Sequence, residues 1–215
     1  ATLFRTPPTG GTLDRARPRS DGWWVGALAS LGIAGYVAAA ESNQTIVLTP
    51  GKNLQAIVER APEGTRFRLE PGIYRQQTIR PKDRQEFIGQ NGATLSGAMV
   101  LENWRRHLGL WRHEGLPDRL RFHGECADGG TLCQNREDLF IDNRLYKRVA
   151  SLDHLGPGKW FYRDGQAYLM DDPTGKLVEL GVTPRAFEGD AEDVVIKNLV
   201  VEKYASDAQE GAIFG

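Results

Sequence analysis

The sequence predicts a mainly β protein built as a solenoid of short strands, and three observations support this fold class. Very short extended pieces, such as Phe87-Ile88 and Ala93-Thr94-Leu95, are separated by turn residues. Pieces this short cannot form a sandwich sheet by themselves, but they suit the rungs of a coiled chain. The 25 glycines and 11 prolines indicate many turns. A single amphipathic helix precedes these pieces, where it can cover the open end of a solenoid.

The helix is predicted to begin at Leu54, after a short strand at Thr45–Leu48. Its apolar positions recur at helical spacing and lie on one face: Leu54, Ile57, Val58 and Ala61. Asn53 can accept a backbone N–H group as the N-cap, and Pro62 ends the helix. Residues 41–101 are therefore predicted to hold an N-terminal cap and the first coil.

The predicted coils need apolar side chains that point inward. In residues 66–101 these are Phe67, Leu69, Ile79, Phe87, Ile88, Leu95 and Val100. Residues 176–215 are predicted to resume the coils, starting at Leu177–Leu180. Their inward positions are Val194, Ile196, Leu199 and Val201. Ala212–Phe214 is predicted to start another coil, and we expect the solenoid to be incomplete at the C-terminus of this chain.

Residues 102–175 show a different pattern, with longer spacing and more aromatic residues. Asp164-Gly165 lies between two apolar or aromatic runs, which is among the strongest short signals of a β-hairpin. A second hairpin is predicted between Leu139 and Tyr146, where Asn143 tolerates a left-handed turn conformation. We therefore expect a small antiparallel β insertion that projects from the solenoid.

The N-terminal 40 residues have the three parts of a secretory signal peptide. Arg15, Arg17 and Arg19 precede an uncharged run from Trp23 to Val37, which small residues follow. We expect cleavage near residue 40; a retained membrane anchor is the alternative, since about 18 apolar residues can span a bilayer. Either reading exports the rest of the chain, which predicts a secreted, periplasmic or cell-surface location.

Two cysteines, Cys126 and Cys133, flank a short loop. In an exported protein such a pair typically forms a disulfide. Zinc binding would require two further ligands, and the histidines of the chain do not complete a known spacing. We therefore predict a local disulfide and no metal site here.

The composition argues against a nucleic-acid function. The net charge is −1, from 27 basic and 28 acidic residues, so no strong field favours nucleic acid or an anionic surface. The chain is predicted to meet a membrane only through its N-terminal signal or anchor.

Six segments occur in an order that is typical of one family. They are Leu69–Tyr74, Ile88–Gly97, Glu137–Asp142, Gly156–Tyr162, Tyr168–Pro173 and Val194–Val200. Together they resemble exported right-handed parallel β-helix proteins of the pectate-lyase-like (pectin-lyase fold) superfamily, over roughly residues 46–215. The resemblance implies a right-handed parallel β-helix with an N-terminal capping helix and a small antiparallel β insertion.

The resemblance also implies a carbohydrate-active protein that binds and cleaves or modifies a polysaccharide, as a lyase or a glycoside hydrolase. The superfamily includes non-catalytic proteins too, so a cell-surface or adhesion protein with a rigid stalk is the alternative. Active sites of the family lie on the outer face of middle coils, which we expect to follow this chain. No catalytic residue is therefore assigned, and Ca²⁺ is implied by the resemblance alone.

Two kinds of residue in the chain are candidates for binding a sugar or Ca²⁺. The rings of Trp104, Trp111 and Trp160 can stack on apolar sugar faces, although a small β subdomain needs most of its aromatic residues for its own core. Asp171-Asp172 and the acidic residues of 190–193 could bind Ca²⁺, but turn capping and solvation are the more common roles of such groups.

Overall fold

The computed structural model describes residues 45–116, 124–127, 129–130, 132–208 and 210–215. The predicted signal or anchor, residues 1–40, lies outside these described residues. They form one α-helix, two short 3-10 helices and 17 β-strands. No helix in this part of the chain is both long and apolar enough to cross a membrane.

The helix α1 (Leu54–Arg60) follows the first strand. In chain order the strands are β1 (Thr45–Leu48), β2 (Arg66–Leu69), β3 (Gly72–Arg75), β4 (Glu86–Gly89), β5 (Ala93–Ser96), β6 (Ala98–Val100), β7 (Arg105–His107), β8 (Leu110–Glu114), β9 (Leu139–Ile141), β10 (Arg144–Val149), β11 (Lys159–Arg163), β12 (Gln166–Leu169), β13 (Val178–Gly181), β14 (Phe187–Glu188), β15 (Val195–Lys197), β16 (Val200–Glu202) and β17 (Ile213–Phe214). The 3-10 helices are Leu132–Gln134 and Leu152–His154. The mainly β class that the sequence predicts is confirmed.

Three of the sheets contain only parallel strand pairs. One has the order β1-β2-β4-β15, another has the order β3-β5-β16, and β14 pairs with β17 in the third. An isolated parallel bridge joins Ile79 to Phe187 next to the third sheet. We call these strands the parallel-sheet region. Because parallel neighbours cannot be joined by a tight hairpin, the chain must leave each sheet before it returns to it.

The inward side chains of the parallel-sheet region form one buried cluster. Five predicted inward residues are completely buried, namely Phe67, Leu69, Ile79, Phe87 and Leu95. The inward prediction for Ile88 is wrong: this half-buried residue follows Phe87 along β4, and successive residues of a strand point to opposite faces. Val100 lies in β6, which belongs to another sheet. The inward residues predicted after residue 190 pack against the cluster but are only partly buried: Val194, Ile196, Leu199 and Val201.

Three phenylalanine rings are in contact at the centre of this cluster. The rings of Phe67 and Phe87 are stacked with centroids 4.9 Å apart, and Phe187 meets Phe87 edge-on at 5.1 Å. The stacking follows from the register, because Phe67 of β2 is paired directly with Phe87 of β4. Such aromatic pairs contribute roughly 0.5–1.5 kcal/mol beyond their buried area.

Helix α1 packs against the cluster through its predicted apolar face. Leu54 and Val58 are completely buried, and both come from the face that the sequence pattern identifies. Asn53 is the N-cap, and its Oδ1 accepts a hydrogen bond from the backbone N–H of Ala56 at 3.1 Å. The helix ends at Arg60, just before Pro62, whose ring cannot continue a helical hydrogen-bond pattern.

The remaining strands form one eight-stranded sheet with the order β6-β13-β9-β10-β11-β12-β8-β7. Its pairs are antiparallel apart from β10 and β11, which run parallel. Both predicted hairpins are present: Asp142 and Asn143 have φ values of 48° and 67°, and Asp164 and Gly165 have 50° and 73°. Two successive positive φ angles are what a tight hairpin turn requires.

The eight-stranded sheet covers a longer stretch of the sequence than the predicted insertion. It begins at Ala98 and ends at Gly181, whereas the sequence places the insertion at residues 102–175. The sequence predicts that the strand at Leu177–Leu180 belongs to the resumed coils, but β13 pairs with β6 and β9 instead. Alternating apolar residues identify a strand without identifying its partners, which explains the difference. The division into separate domains remains a prediction.

The disulfide between Cys126 and Cys133 is confirmed. The two Cα atoms are 5.7 Å apart, within the range that a disulfide spans without moving the backbone. Disulfides persist in oxidising compartments and are rare in the reducing cytosol. The bond therefore favours a location outside the cytosol.

Candidate functional site

An open cleft of about 570 Å³ lies where the N-terminal end of α1 meets the C-terminal end of β3. One wall is formed by residues before and within the first turn of α1, namely Gly51, Lys52, Asn53 and Gln55. The other wall is formed by β3 and the segment after it, namely Ile73, Arg75, Gln76, Gln77 and Thr78. The volume falls within the range of small-molecule sites.

Gln77 joins the two walls of the cleft. Its Oε1 accepts a hydrogen bond from the backbone N–H of Leu54 at 3.0 Å, and its Nε2 donates to the carbonyl oxygen of Arg75 at 2.9 Å. Its own carbonyl accepts a hydrogen bond from the hydroxyl of Tyr204 at 2.9 Å. Burial raises the pKa of Tyr204, so this hydroxyl stays protonated and remains a donor.

Several other polar groups of the cleft are also used to build its walls. Gln55 accepts a hydrogen bond from the backbone N–H of Arg80 at 2.7 Å, while the hydroxyl of Thr78 donates to the carbonyl of Arg185 at 2.8 Å. Lys52 and Gln76 differ, because their side chains make no hydrogen bond within the part of the chain that the structure describes. These two side chains can therefore bind a ligand without breaking a hydrogen bond that holds the walls of the cleft together.

The cleft carries positive charge and amide groups. Lys52 and Arg75 are its cations, and none of the residues that line it is Asp, Glu or His. Ile73 points outward from β3 and is 46% exposed, so it adds an apolar surface at the rim. Amides and cations can bind hydroxyl or carboxylate groups, but they do not supply the carboxyl pair of a glycosidase.

Arg75 links the cleft to the eight-stranded sheet. Its Nη1 donates to Oε1 of Glu179 on β13 at 2.5 Å, and Nζ of Lys203 donates to the other oxygen of Glu179, also at 2.5 Å. The Glu179 side chain is only 2% exposed. Burial alone would raise the pKa of Glu179, but the hydrogen bonds from Lys203 and Arg75 outweigh it and hold the pKa below its ordinary value.

The backbone around Lys203 packs closely against two glycines. A Cβ atom at Gly97 would lie 2.7 Å from the Lys203 carbonyl oxygen, and one at Gly181 would lie 2.8 Å from it. Lys203 itself has a φ angle of 55°. Three segments therefore meet next to the ion pairs of Glu179, namely the residue before β6, the end of β13 and the segment after β16.

The ion pairs of Glu179 predict an acid-sensitive contribution to stability. Because its pKa is lowered on folding, ionised Glu179 stabilises the protein above its ordinary pKa, near 4.5, and this stabilisation is lost as the pH falls through the folded pKa. We expect the difference in unfolding free energy between the native chain and Glu179→Gln to be constant above about pH 6 and to shrink below about pH 4.5. Urea unfolding between pH 3 and 7 measures this difference, and a difference that does not change with pH would contradict the assignment.

The structure does not bring the three predicted tryptophans to the cleft. Trp160 requires a correction: it is completely buried in the core of the eight-stranded sheet, and a ring without exposed surface cannot stack on a sugar. Trp104 and Trp111 are half-buried beside the same core. Nε1 of Trp104 donates to the carbonyl of Leu101 at 3.0 Å, and the guanidinium of Arg106 lies 4.5 Å from the Trp111 ring centroid.

The acidic candidates do not form a calcium site. Oδ2 of Asp171 accepts a hydrogen bond from the backbone N–H of Gly158 at 2.7 Å, and Oδ1 of Asp172 accepts one from Thr174 at 2.8 Å. Both side chains therefore cap turns. Among the described residues, no three His, Cys, Asp or Glu side chains converge, whereas Ca²⁺ takes six to eight oxygen ligands. We derive no chemistry through Ca²⁺.

Comparison with known proteins gives structural neighbours only. The sequence matches no protein-family profile and no curated protein. The chain is similar to the solved structure described as the complex structure of XylC with xylose, with a TM-score of 0.60 and 14% identity over 75% of this chain and 34% of that one. It therefore spans about a third of that protein, and the likeness shows a shared fold. A structure described as a glycoside hydrolase aligns at a TM-score of 0.42 and 10% identity, over 75% of this chain and 51% of that one.

The residues that build the cleft carry weak signals in the sequence. The polar run Arg75-Gln76-Gln77 begins at the last residue of β3 and does not stand out, because longer polar runs such as 82–86 occur elsewhere in the chain. The role of this run in the cleft depends on hydrogen bonds to residues far along the chain, from Arg75 to Glu179 and from Tyr204 to Gln77. A pattern within one segment cannot reveal such partners.

Proposed function

We propose that this chain belongs to an exported, carbohydrate-active protein that binds a polysaccharide in the cleft between α1 and β3. In this proposal the parallel-sheet region forms the first coils of a right-handed parallel β-helix, and α1 is its cap. The three parallel sheets, the disulfide and the fold shared with XylC, which was solved with xylose, support the proposal.

The chemistry of the cleft carries the proposal. Sugars present hydroxyl groups at fixed angles together with small apolar faces, and binding sites combine a few polar groups with apolar surface. Lys52 and Gln76 offer unused donors, and Ile73 offers an exposed apolar side chain beside them. The network around Gln77 keeps both walls in place, so little order has to be gained when a sugar binds.

Cleavage needs groups that this cleft does not contain. A glycosidase uses two carboxyl groups that flank the scissile bond, and a lyase needs a base beside the acidic carbon of a uronate. No carboxylate or histidine lines the cleft. We therefore propose that these residues bind the polysaccharide and that cleavage or modification in the whole protein uses other residues.

Calorimetric titration of the full chain tests the binding proposal. The probes are xylose, xylohexaose and an oligogalacturonate, which separate neutral from acidic sugars. We expect the double variant Lys52→Ala with Gln76→Asn to bind the preferred probe about tenfold more weakly, the effect of losing roughly one hydrogen bond to a charged group. Asn is chosen because Gln76 has a φ angle of 54°, which Asn tolerates.

Lys147→Ala is the matched control for this experiment. Lys147 lies on β10 of the eight-stranded sheet, so its loss removes the same charge without touching the cleft. The control should bind within about twofold of the native chain, as for an ordinary surface change. The proposal is refuted if the native chain binds none of the probes, or if the double variant and the control behave alike.

Trp104 and Trp111 are retained as proposed sugar contacts at a second surface. Both rings are half-buried, so part of each could meet a ligand. Trp104→Phe and Trp111→Phe preserve most of the packing, and each should leave binding in the cleft unchanged while it weakens any second, independent binding event in the same titration. A titration that shows a single event in all three proteins would remove these tryptophans from the proposal.

A non-catalytic surface or adhesion protein is the second candidate function. The lack of acidic and histidine side chains in the cleft favours it, because such a site can hold a polysaccharide without cleaving it. Incubating the full-length gene product with the polysaccharide that binds best distinguishes the two. New reducing ends or unsaturated uronates indicate an enzyme, and binding without any product indicates a surface protein.

A further inference from the structure

We propose that Glu179 is a positioning residue that holds Arg75 in place at the cleft. A strand of the eight-stranded sheet would then set the geometry with which the parallel-sheet region binds its sugar. The inference deepens the proposed function and rests on it for the identity of the ligand. The contact between Nη1 of Arg75 and Oε1 of Glu179, at 2.5 Å, is present in the structure and does not depend on the identity of the ligand.

The Glu179 carboxylate is fixed at both of its oxygens. Oε1 accepts from Arg75, while Oε2 accepts from Lys203. The glutamate side chain is 2% exposed and the lysine side chain 8%, so neither can turn into solvent to relax the contact. Arg75 is anchored to a group that cannot move.

Arg75 is the more exposed of the two cations that pair with Glu179. Lys203 is more deeply buried and also lies 3.4 Å from Oε1 of Glu202, while the Arg75 side chain is 27% exposed and lines the cleft. A buried carboxylate needs hydrogen bonds at both oxygens, and Arg75 supplies the one to Oε1. Because Arg75 also lines the cleft, this contact fixes a cleft residue at the same time as it satisfies the buried carboxylate.

A restrained arginine is a better sugar ligand than a free one. Its guanidinium carries five N–H donors in a planar fork, and the contact with Glu179 uses one nitrogen, Nη1. The rest of the fork can reach neighbouring hydroxyl oxygens of a sugar. An unrestrained arginine would have to lose side-chain freedom on binding, and fixing it beforehand removes that cost.

Two variants of the full chain separate positioning from simple structural support. Glu179→Gln keeps the shape of the side chain but removes the charge that holds Arg75. Lys203→Met removes the other partner of Glu179 and keeps an unbranched side chain next to the Phe140 ring, 5.3 Å from the lysine nitrogen. Glu179→Gln breaks the ion pairs with both Arg75 and Lys203, whereas Lys203→Met leaves the pair between Arg75 and Glu179 in place. Lys203 does not line the cleft.

The first measurement does not depend on any sugar. Phenylglyoxal modifies accessible guanidinium groups, and mass spectrometry reports the rate at Arg75 relative to Arg68, an exposed arginine on β2 that serves as the internal reference. We expect Glu179→Gln to raise the relative rate at Arg75 about threefold or more, and Lys203→Met to leave it within about twofold. An unchanged rate in Glu179→Gln would overturn the inference.

The second measurement is the affinity for the probe sugar that the native chain binds best. Glu179→Gln should weaken binding about fivefold, while Lys203→Met should stay within about twofold. Equal losses in both variants mean that the ion pairs only support the fold, which overturns the inference. If the native chain binds no probe, the proposed function fails, and the phenylglyoxal rates alone decide whether Glu179 positions Arg75.

Arg75→Lys provides a further route if Glu179→Gln does not fold. Lysine keeps the positive charge toward Glu179 but has no planar fork. The variant should unfold at nearly the native temperature and bind the sugar about fivefold more weakly. Native affinity in Arg75→Lys would show that the fork is not used, and the inference would be wrong.

Discussion

Phe87→Ala should destabilise the protein by about 3–5 kcal/mol, which is the usual cost of truncating a buried phenylalanine. The Phe87 ring is completely buried and touches two other rings, at centroid distances of 4.9 Å and 5.1 Å. The substitution removes both contacts and leaves a cavity between two parallel sheets. Because single domains are stable by only about 5–15 kcal/mol, the loss should lower the melting temperature by roughly 6–20 °C. Circular dichroism during heating measures the shift.

Phe214→Ala is the control for this prediction. It removes the same side chain, but Phe214 is 50% exposed and its ring contacts the guanidinium of Arg185 at 4.5 Å rather than a buried ring. We expect a loss of about 1 kcal/mol or less. Similar melting temperatures for the two variants would show that the three-ring contact is not the centre of the core.

Gly89→Ala should destabilise the protein by about 3 kcal/mol, at the upper end of overpacking effects. A Cβ atom at this position would lie 2.1 Å from the carbonyl oxygen of Asn198 and 2.5 Å from Cδ2 of Leu199. Asn198 has a φ angle of 57°, so the chain there is already in a restricted conformation and cannot easily move away. The added methyl group must therefore push the chain after β15 away from β4. Urea unfolding at neutral pH gives the free-energy difference.

Gly156→Ala tests whether the cause is steric. The nearest atom to a Cβ at Gly156 is Cδ of Lys159 at 4.0 Å, and its backbone does not need the left-handed region. Replacing such a glycine typically leaves stability unchanged or raises it by about 0.4–1 kcal/mol. If Gly89→Ala is as stable as Gly156→Ala, the close approach of β4 to the chain after β15 does not exist in solution.

Local features of the fold could be predicted from the sequence because their causes are local. Asn53 caps α1 from three residues away, and the Asp164-Gly165 turn needs only the tolerance of its own residues for positive φ angles. The spacing of Leu54 and Val58 correctly identified the buried face of α1. The disulfide was predictable because its cysteines are close in sequence.

Other features depend on contacts between distant segments and could not be predicted in this way. The alternation of Val178 and Leu180 identified a strand but not the sheet to which it belongs. Trp160 carries the same aromatic signal whether it packs in a core or faces a sugar, and only its neighbours made it buried. The cleft is defined by pairs such as Arg75 with Glu179, which no single segment contains.

The order in which the three phenylalanines leave the ribosome has a consequence for biosynthesis. Phe67 and Phe87 emerge close together, but Phe187 emerges only after every strand of the eight-stranded sheet. At about 5–20 residues per second, translation needs several seconds to supply the third ring. During that interval the part of Phe87 that Phe187 contacts in the folded protein is uncovered, so the nascent chain presents an apolar surface that chaperones can bind until the last strands of the parallel-sheet region are made.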